Sequence, residues 1–139
     1  MFSSSINWLG VLGATLVSFI VGFLWYGPLF GKLWLKLSKI PASEIAKNKQ
    51  KGMAKPMILN FIGILITSFV FAQIINLLGI SSIGQGAVLG FWIWLGFFAS
   101  ATMLNGTIWE GKPWSLYVLN SLYWLVNLKI MGILLVLWS

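Results

Sequence analysis

Apolar positions along this chain do not alternate with polar ones, as they would in a half-buried strand. They run together. Four runs approach the ~20 apolar residues that a helix needs to cross a bilayer, at about 6–26, 57–78, 87–109 and 114–138. Each is hydrophobic nearly all round, as lipid-embedded helices are. The pattern predicts an all-α integral membrane protein, a single four-helix transmembrane domain over 1–139 with a basic cytoplasmic loop at 27–56. The first run lacks a basic leading segment and is long for a cleavable signal, so we expect it to stay as a helix.

The loop has a pattern of its own. In "PLFGKLWLKLSKI", Leu29, Phe30, Leu33, Trp34 and Leu37 fall on one side of a helix, and Lys32, Lys36 and Lys39 on another. This predicts an amphipathic helix on the membrane surface, with those lysines toward anionic headgroups. The alternative is a helix packed on protein. "PASEIAKNKQKGMAKP" then predicts a short polar helix capped by Ser43, with Pro56 at the entry to the second span.

Composition agrees with the pattern. The chain is 59% hydrophobic and 8% charged, too few charges to cover a soluble domain of this size. Seven lysines lie between spans one and two, and Lys112 lies between spans three and four. The loop "GISSIGQG" and the leading "MFSSS" have none. The positive-inside rule puts the lysine-bearing loops in the cytoplasm and both termini outside. The expected location is a bacterial inner membrane. So strong a bias argues against a dual-topology dimer. Most of the net charge of +7 lies in these loops, so no nucleic-acid partner is expected.

Tryptophans fit the same frame. Trp8, Trp92, Trp94 and Trp138 fall at outer ends, and Trp25, Trp34, Trp109 and Trp114 at inner ends, as two aromatic belts. Trp124 falls near mid-span and should pack between helices.

The chain has no cysteine, histidine, arginine or aspartate. That removes structural zinc, histidine-ligated haem, thiol catalysis and a serine–histidine–aspartate triad. No metal or cofactor is expected, and no enzyme. Small four-helix enzymes that conjugate glutathione rely on arginines. Proton-coupled multidrug exporters need a mid-membrane acid, and a fluoride channel needs arginine.

Several constellations remain. Gly10, Ala14, Ser18 and Gly22 form a stripe of small residues at i+4 steps that invites close helix packing, within the chain or between subunits. Gly86 with Gly90, and Gly96 with Ser100, are shorter versions. Six amides are expected to be buried: Asn60, Gln73, Asn76, Asn105, Asn120 and Asn127. Asn120 and Asn127 share one helix face, and Tyr117 and Trp124 a neighbouring one. Such groups hydrogen-bond across helices or line a cavity for a polar ligand. Lys129 lies about 13 Å inside the outer end of its span. It either snorkels or meets an anion or a partner's acid.

Glu110 is one of two carboxylates in the chain. It sits within an internal echo. Gly22-Phe-Leu-Trp25-Tyr26-Gly27-Pro28 resembles Gly106-Thr-Ile-Trp109-Glu110-Gly111-Lys112-Pro113, and Leu59-Asn60 resembles Leu119-Asn120. The echo suggests two parallel helix hairpins related by an axis along the membrane normal. It puts Glu110 in the slot of Tyr26 at the inner interface, as an ion pair with Lys112 or a loop lysine, or as a ligand contact.

The segments "INWLGVLGATLVSFIVGFLWYGPLFGKLW", "GFWIWLGFFASATMLNGTIWEGKPWSLYVLNSLYWLV" and "IMGILLVLW" resemble the uncharacterised bacterial membrane family known as domain of unknown function 1761. Trp25-Tyr26-Gly27-Pro28 and Asn105 through Trp109-Glu110-Gly111 carry the resemblance. It implies four membrane helices and no established activity. Lys129 departs from the apolar or small residue expected there.

Two functions stand out. The first is an accessory protein that assembles through the small-residue stripe as a homo-oligomer or with a larger membrane partner. The alternative is a small-molecule or lipid binder or carrier, with candidate ligand contacts at Lys129, Asn127, Trp124, Asn120, Asn105 and Glu110.

Overall fold

The computed structural model describes residues 6–39, 42–52 and 54–139. The lysine-free segment 1–5, expected outside, lies beyond the described residues. The described elements are helical throughout. Helix α1 (Trp8–Leu24) starts at Asn7, whose side chain accepts from the Leu9 amide at 3.2 Å, as an N-cap does. Pro28 has no N–H to donate, so the helix cannot close normally there. It widens into a π turn over Trp25–Leu29, in which the Phe30 amide donates to the Trp25 carbonyl at 2.8 Å.

Two short helices follow, α2 (Gly31–Ser38) and α3 (Ala42–Gln50), then the long α4 (Ala54–Leu78). Ser43 lies inside the first turn of α3 rather than before it. Gly79, at φ 67°, ends α4 in the left-handed region that favours glycine. Ser82 then caps α5 (Ile83–Ile93), accepting from the Gln85 amide at 3.1 Å. A π stretch over Trp94–Met103 and the short α6 (Leu104–Ile108) complete the third span. Hydroxyls satisfy carbonyls along that stretch: Ser100 donates to Gly96, Thr102 to Phe97 and Tyr117 to Ala99. The last helix is α7 (Trp114–Leu137).

Four segments are long and apolar enough to cross a membrane: Trp8–Leu29, Ala54–Leu78, Ile83–Ile108 and Trp114–Leu137. The expected four-helix membrane architecture is present. The third span begins before its expected start at 87.

Helix α7 is the hub, packed against α1, α4 and α5. It holds fully buried Asn127, Leu128 and Met131. Lipid tails are as apolar as leucine, so close backbone approach and hydrogen bonds decide which helices pair. The α5–α7 pair is set by glycines. A Cβ on Gly90 would lie 2.6 Å from the Leu128 carbonyl oxygen, and Gly86 and Gly132 touch backbone to backbone.

The stripe on α1 faces α7. A Cβ on Gly10 would meet the Trp138 carbonyl at 2.7 Å, and one on Gly22 would meet the Tyr123 hydroxyl at 2.8 Å. Ala14 and Ser18 between them are fully buried. At Gly10 and Gly22 the stripe thus packs within the chain. Asn7 also donates to the Trp138 carbonyl, tying both ends of the chain together on one side of the bundle.

Candidate functional site

The polar residues of α7 divide between two faces. Asn120 and Tyr123 meet the first span, and Asn127 bonds to Tyr123. The Tyr26 hydroxyl donates to Asn120 Oδ1 at 2.7 Å, and Asn127 Nδ2 donates to the Tyr123 hydroxyl at 2.9 Å. Tyr117, Ser121 and Trp124 serve the third span. Tyr117 donates to the Ala99 carbonyl at 2.9 Å, Trp94 Nε1 donates to the Ser121 carbonyl at 2.6 Å, and Trp124 packs on Phe98 with ring centroids 4.8 Å apart. Trp94 is thus a packing group at a helix crossing, not a member of the outer belt. Trp124 packs between helices, as its mid-span position suggests.

Two clefts open at the lysine-bearing end. The larger, about 680 Å³, lies between α1, α2, α4 and α7. Phe19, Phe23, Tyr26, Trp34, Tyr123 and Trp124 give it an aromatic wall, and Asn60 adds an amide. Its volume falls in the range of small-molecule sites. None of its lining residues is charged. The smaller cleft, about 220 Å³, is polar. Asn105, Thr107, Glu110, Lys112, Tyr117 and Asn120 line it, with Thr102 and Met103 behind. Tyr26 belongs to the first cleft and Asn120 to the second, so their hydrogen bond is a partition between the two.

Helix α2 roofs the aromatic cleft. Its Trp34 and Leu37, and Phe30 just before it, are half-buried, and Trp34 meets the Tyr26 ring edge-on at 6.1 Å. Leu29, Leu33, Lys32, Lys36 and Lys39 remain exposed. The predicted apolar side therefore splits. Part of it covers the bundle, and part stays with the lysines on the outside.

The six candidate ligand contacts do not form one site. Asn105, Glu110 and Asn120 come together in the polar cleft. Trp124 lines the aromatic cleft. Asn127 is fully buried behind Tyr123. Lys129 stands apart, exposed, with its ammonium 6.0 Å from the Phe91 ring centroid. Glu110 pairs with Lys112 at 3.2 Å, and both are exposed. Of the expected amides, Asn60, Asn76 and Asn105 are exposed rather than buried. Gln73 is buried.

The echo does not extend to local conformation. Its first copy is the π turn at Pro28, whereas the second ends α6 and turns at Gly111, at φ 69°. Tyr26 is half-buried and bonded across to α7, while Glu110 is exposed. Tyr26, Trp34 and Tyr123 are not among the candidates read from sequence, and Asn60 is read there only as one of the six amides. Tyr26 stood in the Trp-Tyr-Gly-Pro motif, and that motif was the one signal for it.

This arrangement defines a multi-pass α-helical membrane protein with paired clefts at one end of its bundle. The chain belongs to the family described as protein of unknown function (DUF1761), which it matches over residues 9–136. No curated protein and no solved structure matches it.

Proposed function

We propose that this protein binds an amphipathic small molecule or lipid in the aromatic cleft beneath α2. The carrying observation is the cleft itself: about 680 Å³, walled by six aromatic rings and one exposed amide, with no charged group in its lining. Such a surface suits a largely apolar ligand with a small polar part. The small-residue stripe is occupied by α7, so it no longer supports assembly between subunits. In this reading the lysine-bearing end faces the cytoplasm of a bacterial cell and the termini face outward. Lys32, Lys36 and Lys39 then meet anionic headgroups beside the cleft.

Native mass spectrometry of the protein extracted with its own lipids tests the reading. A stoichiometric small molecule or lipid, lost in Trp34→Ala, is the expected result. A protein that emerges empty, and whose melting temperature no amphiphile raises, overturns it.

One observation favours a second reading, an accessory protein for a larger membrane partner. The third span buries only Gly86, Gly90 and Ala99. Its remaining surface, with Lys129 beside Phe91, is open to lipid or to another helix. A partner carrying a membrane-embedded acid opposite Lys129 would pair there.

A further inference from the structure

The polar cleft has a chemistry of its own. It forms where the third span hands over to α7. Gly111, at φ 69°, turns the chain, the Lys112 amide donates to the Gly106 carbonyl at 3.2 Å, and Pro113 leads into α7. This tight turn puts an acid and a base two residues apart on the lining. Both fold back over Gly106, where a Cβ would lie 3.8 Å from Glu110 Oε2 and 3.8 Å from Lys112 Cδ. Their charged atoms meet at 3.2 Å.

The rest of the polar lining is uncharged and has hydrogen-bonding capacity to spare. Among the described residues, the side chains of Asn105 and Thr107 make no hydrogen bond. Asn120 accepts from Tyr26 on its Oδ1, which leaves its amide N–H groups free to donate.

The ion pair selects by charge. A lone anion would be drawn by Lys112 and repelled by Glu110, and a lone cation the reverse. A zwitterion satisfies both. Opening the pair costs little, because both members are exposed. The Thr107 hydroxyl and the Asn120 amide add donors for the oxygens of a phosphate. The Asn105 side-chain carbonyl can accept from a primary ammonium, which has three N–H groups to place. A trimethylammonium has none and is recognised by a cage of aromatic faces. Tyr117 supplies the one ring in this lining.

The surroundings suit the remainder of a lipid. Ile108 and Trp109 before the turn, and Trp114 and Val118 after it, are exposed. Tryptophans in such positions mark the level of lipid headgroups. At about 220 Å³ the cleft is smaller than sites that enclose a whole drug-sized ligand. It suits a head whose acyl chains lie outside, along those apolar residues.

The geometry points to a second binding site: the polar cleft takes a zwitterionic aminoalkyl phosphate, with its primary ammonium on Glu110 and its phosphate on Lys112. A phospholipid of the ethanolamine type carries this head. The site stands independently of the aromatic cleft.

Native mass spectrometry of the intact, delipidated protein in detergent tests it, with three dioleoyl lipids as probes: phosphatidylethanolamine, phosphatidylcholine and phosphatidylglycerol. Phosphatidylethanolamine should bind about tenfold more tightly than either of the others, the effect of one charge-assisted hydrogen bond. Glu110→Gln should erase the preference over phosphatidylglycerol, and Lys112→Gln should weaken phosphatidylethanolamine by a similar factor. Both residues are exposed, so neither change threatens the fold. Trp34→Ala, which disables the aromatic cleft, should leave the preference intact. Equal retention of the three lipids overturns the assignment. A preference that survives both charge variants, or that falls in Trp34→Ala, places the head elsewhere and overturns it too. Added O-phosphoethanolamine separates the two sources of this chemistry. If it displaces the lipid at equal concentration, the ligand is a soluble zwitterion; if it does not, the acyl chains contribute and the ligand is the lipid.

Discussion

The Tyr26 phenol donates to the Asn120 side chain at 2.7 Å, and this one bond separates an aromatic cleft from a polar one. It joins the π turn at the end of the first span to the second turn of α7. A proline that cannot donate creates the turn, and the wider turn holds Tyr26 where it can reach across.

A double-mutant cycle should measure that bond. Tyr26→Phe and Asn120→Leu are each expected to destabilise the bundle, with a coupling of about 0.6 kcal/mol and no more than about 1.7 kcal/mol. Reversible unfolding in mixed micelles supplies the four free energies. Additive single effects would mean that the bond does not hold the partition.

The stripe on α1 gives a different outcome from a subunit interface. Gly10→Leu with Ser18→Leu forces one side chain against Trp138 and another into the fully buried place of Ser18. We expect a large fall in melting temperature, since overpacking costs about 1–3 kcal/mol per site, with the mass of the surviving folded particle unchanged. Light scattering with melting curves reads both quantities. Dissociation into smaller particles without loss of stability would point to an intersubunit role instead.

Glycines on the bundle should divide by what a methyl group would meet. Gly90→Ala drives a Cβ against the Leu128 carbonyl and should separate α5 from α7, at about 1–3 kcal/mol. Gly63→Ala meets nothing within 4 Å and should be neutral or mildly stabilising, because alanine loses less backbone freedom in a helix. Thermal denaturation of the two variants side by side is the check. The same response from both would show that the close approach of α5 and α7 is not a constraint.

The exposed Glu110–Lys112 pair should matter little to stability. Its members are 62% and 53% exposed, and such pairs contribute about 0–1 kcal/mol and are screened by salt. Glu110→Gln is expected to shift stability by less than about 0.5 kcal/mol, with any shift vanishing in high salt. A larger, salt-independent loss would give Glu110 a role within the polar cleft.

Orientation can be read from added thiols, since the chain has no cysteine. Lys47→Cys should be shielded from a membrane-impermeant maleimide in intact cells, and Ser81→Cys should be labelled. The reverse pattern would invert the proposed topology.

Much of the architecture was legible along the chain. Four apolar runs, each long enough to cross a bilayer, leave few alternatives, because an unpaired backbone in lipid is too costly. The lysines clustered in two loops predict an orientation by the same kind of one-dimensional signal. The spacing of Gly10, Ala14, Ser18 and Gly22 suggests a close-packing face, since helical period alone puts these residues in line.

What spacing could not supply was the identity of the neighbour. The stripe would suit a second subunit as well as it suits α7, and the choice is made by which helices the connecting loops bring together. Burial was undecided for the same reason. Asn60 and Asn127 are both amides within apolar runs, yet one lines an open cleft and the other is sealed behind Tyr123. A lone residue in a nonpolar span carries no mark of which face meets lipid, protein or cavity. The grouping of Trp25, Tyr123 and Asn127 exists only where the first span meets α7. That meeting depends on the close approach that Gly10 permits to the Trp138 backbone and Gly22 to the Tyr123 ring.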